Sequence, residues 1–208
     1  PFHITEENEV AWEWAQEFSG KAGFEPTVHP AVAYDTVYLL KAAIENIDGI
    51  KYIMAGAGSS EYFDQLKKLS AWKKVDYRGR IPHSEVKELY SQSIAGKALN
   101  NSTQVKGSGT LGNTKLFEFM EAKLPVICSN YNLWEEIINE YKCGICVDPN
   151  NVDEIQSAIE YIINNPEKAK EMGMNGRKAV VEKYNWGTQQ KKLFFIYKDI
   201  INNCNDDF

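Results

Sequence analysis

Residues 106–130 read KGSGTLGNTKLFEFMEAKLPVICSN and hold most of the residue types able to do chemistry. Gly107, Gly109 and Gly112 form a loop whose backbone N–H groups can converge on an anion. The helix expected next, over 114–123, adds the partial positive charge of its first turn. A diphosphate fits such a seat. One acid in that helix, Glu118, stands among Leu116, Phe117, Phe119 and Met120. A carboxylate there is suited to accept hydrogen bonds from a neutral diol such as a ribose. The same residues suit a plainer account, a flexible surface loop ahead of a solvated helix acid, because short glycine patterns are common.

Other constellations promise less. Cys143-Gly144-Ile145-Cys146 has redox or half-zinc spacing. Zinc needs two further ligands, and His3, His29 and His83 show no pairing in the sequence, so a buried structural pair is the favoured reading and no metal is expected. Gly56-Ala57-Gly58 would need a third glycine at position 61 to complete a dinucleotide fingerprint, and Glu61 stands there. The stretch reads as a tight turn from a strand into a helix. His83 follows Pro82 and fits a surface or capping role better than that of a general base. Phe194, Phe195 and Tyr197 are expected in the core.

The elements that would position these residues follow from periodicity. With 208 residues the chain is long enough to bury a core, and its net charge of −6, with cations scattered among acids, leaves no footprint for nucleic acid. No apolar run matches a membrane span and no secretory signal opens the chain, so a cytoplasmic protein is expected. Helices are predicted near 6–19 (Val10, Trp14, Phe18) and over 33–46 (Val37, Leu40, Ile44), with an extended link at 25–30. From residue 50 onward strands and helices alternate. Strands are expected at 52–55, 75–79, 93–99, 125–129 and 144–147. Helices follow near 60–69, at 84–90 (Val86 and Leu89 inward), 114–123, 133–140, 151–164 and 188–202, with another begun by Pro166. Asn151 and Glu154 resemble a capping box. The alternation predicts an α/β domain with a mostly parallel sheet, whose ligands bind at the carboxyl ends of the strands.

Several stretches together resemble one family. Gly79-Arg80-Ile81-Pro82-His83 with Glu88-Leu89-Tyr90, Lys115-Leu116-Phe117-Glu118 with Pro125-Val126-Ile127, Cys143-Gly144 with Asp148-Pro149, and Asn175-Gly176-Arg177 with Tyr184-Asn185-Trp186 occur in order. Over 51–202 the chain is similar to the carboxyl-terminal, donor-binding half of a GT-B glycosyltransferase of the retaining family 4 type. The resemblance implies a Rossmann-like three-layer α/β/α fold with a mostly parallel sheet of five or six strands. It also implies a UDP- or GDP-sugar as ligand and no cofactor. Glu118 matches the second glutamate of the family's Glu, seven residues, Glu motif, which binds the ribose. Leu111, Gly112, Asn113 and Thr114 match the loop and helix start that hold diphosphate and sugar, and Arg80 and Ile81 match the turn that reads the base. The motif's first glutamate falls on Thr110, which cannot supply a negative charge.

The region before Lys51 departs from that family and lacks its basic glycine loop. Over 14–46, Gly23-Phe24-Glu25-Pro26 and Ala33-Tyr34-Asp35-Thr36-Val37-Tyr38-Leu39-Leu40 resemble a type I periplasmic binding protein of the branched-chain amino-acid class. The expected organisation is a helical segment at 1–48 packed on a nucleotide-sugar-binding domain at 49–208, with a junction near Asp48. This organisation implies a recombined or engineered chain in which Val28 to Val32 substitutes for a lost strand. Three functions stay open: a donor-binding half inactive alone and able to self-associate through the missing-domain face, a scaffold without activity, and a solute-binding module.

Overall fold

The computed structural model describes residues 44–45, 47–58, 60–100 and 111–205. In chain order they form β1 (Tyr52–Ala55), α1 (Ser60–Lys67), a 3-10 turn (Ser70–Lys74), β2 (Val75–Gly79), α2 (His83–Ser91) and β3 (Gly96–Ala98). There follow α3 (Thr114–Glu121), β4 (Val126–Ser129), α4 (Asn132–Tyr141), β5 (Gly144–Val147), α5 (Val152–Asn164), α6 (Pro166–Glu182) and α7 (Trp186–Asn205). Every ladder is parallel, as short strands joined through helices require. β1 pairs with β2, and β3, β4 and β5 pair in that order, with Val126 opposite Gly96 and Gly144. The fold is Rossmann-like α/β, with small parallel sheets and a majority of helix.

β4 is apolar from Val126 to Cys128 and buried throughout, the pattern of a strand covered on both faces. Ile127 points to one side with Leu99 and Val147, against Ile155, Ile159 and Ile162 of α5. Val126 and Cys128 point to the other, against Leu116 and Met120 of α3, Trp134 and Ile137 of α4, and Ala179 of α6. Each large aliphatic side chain among these contributes about 1.5–3 kcal/mol on burial, so β4 organises both layers. A smaller cluster joins Phe63 and Leu66 of α1 to Met54, Trp72 and Tyr77.

The helix ends follow their sequence signals. Asn151 accepts hydrogen bonds from the N–H groups of Asp153 and Glu154, and its side-chain amide donates to Glu154 Oε1, completing the cap of α5. Pro166 occupies the first turn of α6, where its missing donor costs nothing.

Some expectations change. Phe194, Phe195 and Tyr197 are not core residues, since they are 59 %, 69 % and 54 % exposed. Residues 193–197 are five consecutive apolar positions, and a helix cannot turn five consecutive residues to one side. α7 also extends past 202 to Asn205. α2 holds no fully buried residue, although Val86 and Leu89 are half-buried. The helix expected over 6–19 and the strand substitute at 28–32 lie outside the described residues, as does 33–46 except Ile44 and Glu45. Among the described residues no helix is long and apolar enough to cross a membrane.

Candidate functional site

The position of α3 is set by close backbone approach. A Cβ on Gly96 would lie 2.1 Å from the Phe119 ring, so the missing side chain lets α3 settle onto β3. Just past the carboxyl end of α3 a Cβ on Gly173 would lie 2.0 Å from the carbonyl oxygen of Lys123, so α6 closes on the α3–β4 turn only through glycine. Leu116 and Met120 are fully buried beneath, and Glu118 remains half-buried between α3 and α2.

Glu118 has a partner that sequence reasoning missed. Tyr90, in the last turn of α2, donates its phenol to Glu118 Oε2 at 3.0 Å, and its ring meets Phe119 edge-on at 5.3 Å. Burial, and next the Glu118 charge, push the Tyr90 phenol well above its ordinary pKa, so it stays a donor. Tyr90 belongs to the quoted Glu88-Leu89-Tyr90 stretch, but nothing in the sequence pairs it with an acid 28 positions on.

Arg80 is exposed and Ile81 half-buried, both just past β2 and ahead of α2. The N–H of Gly56 donates to Gly79 O at 2.8 Å and the Tyr77 hydroxyl to Gly56 O at 2.9 Å, so the turns after β1 and β2 lie side by side. Arg80 and Ile81 precede the first turn of α2, whereas Glu118 meets its last. The two ends are about 10 Å apart along the axis, a separation a nucleoside can bridge.

At the carboxyl edge of β3 the chain is clamped. Ser129, fully buried, accepts from the Asn100 N–H and donates to the Asn100 carbonyl, both at 2.8 Å, and the Tyr131 hydroxyl donates to that carbonyl as well. This clamp fixes where the chain leaves β3 for the glycine loop. Gly107, Gly109 and Thr110 lie outside the described residues. Leu111 and Gly112 are exposed, Asn113 and Thr114 are half-buried, and the Asn113 side chain makes no capping hydrogen bond to α3, unlike Asn151 at α5.

Two cations attend this region. Lys97, half-buried on β3, has its pKa pushed down to about 8, first by burial and then by the charge of Lys115 in the first turn of α3. Lys97 was hidden in sequence inside a segment read simply as an apolar strand. Cys146 meets Cys128 on β4, not Cys143, which precedes β5 and is buried. Among the described residues no three or more His, Cys, Asp or Glu are grouped to hold a metal. An open hollow of about 550 Å³ lies away from Glu118, between β5, α5 and α6.

Residues 26–179 match the family model for glycosyl transferases group 1. The chain belongs to that family. The matched range begins inside the stretch that resembles a binding protein and includes Asp48. A GDP-mannose-dependent alpha-(1-6)-phosphatidylinositol monomannoside mannosyltransferase of Mycobacterium tuberculosis is 26 % identical over 172 residues, 79 % of this chain and 43 % of that protein. The sucrose-phosphate synthase of Thermosynechococcus elongatus superposes with a TM-score of 0.68 at 20 % identity, covering 82 % of this chain and 43 % of that one. The carboxyl-terminal domain of a group 1 glycosyltransferase from Francisella tularensis gives 0.57 at 18 % identity, over 74 % of this chain and 80 % of that one. This group 1 chain thus spans less than half the length of the mycobacterial relative.

Proposed function

We propose that this chain is the donor-binding half of a retaining glycosyltransferase working in the cytoplasm, and that it holds a UDP- or GDP-sugar at the carboxyl edge of its parallel strands. The observation that carries the reading is Glu118, a half-buried acid on α3 whose carboxylate is oriented by the Tyr90 phenol. In this reading Glu118 accepts the ribose hydroxyls, and Arg80 and Ile81 read the base through their backbone. Leu111, Gly112, Asn113 and Thr114, with Thr110, receive diphosphate and sugar, helped by the first-turn N–H groups of α3. Lys97 and Lys115 add positive charge where the sequence before residue 51 supplies little. No cofactor is involved.

The reading gains support from the family match, from the donor named for the mycobacterial relative, and from the likeness to an isolated carboxyl-terminal domain. Transfer would stabilise charge on the departing diphosphate, and the acceptor site would belong to the other half of the enzyme. The chain alone is therefore expected to bind without turnover. Residues 1–48 complete the same domain in this reading, and recombined origin is the competing account of them.

Calorimetry with UDP, GDP and their sugar conjugates tests the assignment. Binding of one nucleotide that weakens at least tenfold in Glu118→Ala is the expected result. A chain silent toward every nucleotide would instead be a scaffold, the reading favoured by Thr110 at the motif's first acidic position.

A further inference from the structure

Cys128 and Cys146 face each other in register across the β4–β5 ladder, with their Sγ atoms 3.6 Å apart. Paired strands lie about 4.8 Å apart, inside the roughly 4.4–6.8 Å between Cα atoms that a disulfide spans, so side-chain rotation suffices to bring the sulfurs together. The two thiols differ in access. Cys128 is fully buried, whereas Cys146 is half-buried on β5, an outer strand of the β3-β4-β5 sheet.

We propose that Cys128 and Cys146 form a reversible thiol–disulfide pair, closed by a small disulfide that reaches Cys146 at this outer strand of the sheet. Cys146 is the attacking thiol. It loses its proton to solvent, and its sulfur breaks the S–S bond of the small disulfide, releasing one thiol and leaving a mixed disulfide. Cys128 then loses its proton and attacks Cys146 Sγ, releasing the second thiol. The two cysteines are oxidised and the reagent is reduced to two thiols, so atoms and electrons balance. Contact with the Cys146 sulfur, and then burial, hold the Cys128 thiol well above its ordinary pKa, which suits a resolving partner rather than a first attacker. The bridge ties β5 to the residue beside Ser129, the clamp on Asn100.

The test treats the full folded chain with cystamine, a cationic disulfide, and counts free thiols. Two thiols per chain should disappear, non-reducing digestion with fragmentation should place the bridge at Cys128 and Cys146, and dithiothreitol should restore both. The bridged form should melt about 5 °C or more higher, because the cross-link encloses α4 and restricts the unfolded chain. Cys204→Ser should react in the same way, and Cys146→Ser should keep the Cys128 thiol free. A cystamine adduct that stays on Cys146 with Cys128 free, a bridge to Cys143, or a folded chain that keeps all its thiols while the denatured chain reacts would each overturn the proposal.

Discussion

The Tyr90 phenol and the Glu118 carboxylate join two helices across 28 residues of sequence through one 3.0 Å hydrogen bond. A charge-assisted bond of this kind contributes about 1.5–3 kcal/mol when both partners are shielded, and less here because Glu118 is only half-buried. Its larger consequence is orientation, because it fixes the carboxylate that the proposed ribose must meet. Tyr90→Phe keeps the ring against Phe119 and removes the donor. Nucleoside diphosphate binding is expected to weaken about three- to tenfold, with a smaller preference for ribo- over deoxyribonucleotides, measured by calorimetry. Unchanged discrimination in Tyr90→Phe would leave the pair a purely structural contact.

Ser129 does for the loop what Tyr90 does for the acid. Its hydroxyl both donates to and accepts from the backbone of Asn100, so Ser129→Ala removes an acceptor from the half-buried Asn100 N–H and weakens the support of its carbonyl, which Tyr131 still contacts. Loss of about 1–3 kcal/mol is expected in urea unfolding. Tyr131→Phe, which removes a single donor to that carbonyl, should cost less. A larger loss in Tyr131→Phe than in Ser129→Ala would reassign the clamp.

Lys97 gives a pH signature. It releases its proton near pH 8 in the folded chain against 10.5 when unperturbed, because burial, with the Lys115 charge behind it, disfavours the ammonium. Between these values the unfolded chain binds more protons, so stability rises with pH across that window, and the cost of the buried charge is complete below it. Lys97→Met should therefore be about 1–3 kcal/mol more stable than the natural chain at pH 7, and this advantage should shrink as pH approaches 10.5. Paired urea unfolding curves at pH 7 and pH 9.5 read the difference directly. An advantage that does not change with pH would place the ammonium in water.

The parts of this fold that were legible in sequence are those fixed by local pattern. β2 and β5 fall where alternation and glycine place them, and the cap of α5 is written in Asn151 and Glu154. Glu118 was legible because an acid flanked by Leu116, Phe117, Phe119 and Met120 stands out. Its partner was not, since the pairing of α2 with α3 depends on Gly96 admitting the Phe119 ring, a close approach between elements that no local period encodes. Lys97 and the Cys128–Cys146 pair were hidden for a related reason: strand register decides which side chains meet, and register is a property of the sheet. At α7 composition misled, because apolar residues are core only where another element covers them.

That uncovered stretch of α7 carries the last expectation. Leu193, Phe194, Phe195, Ile196 and Tyr197 are between 37 % and 69 % exposed, a run of apolar surface that an isolated domain rarely leaves in water. If the other half of the enzyme covers this run, the chain alone should satisfy it by self-association. Sedimentation velocity should show weight-average mass rising with concentration, and the double variant Phe194→Glu, Phe195→Glu should return the chain to a monomer. Both positions are exposed, so the change should cost less than about 1 kcal/mol of stability, and melting should distinguish lost association from lost folding. A natural chain that stays monomeric at high concentration would mean that α7 is covered by this chain itself, and the exposed run would then cease to mark the missing half.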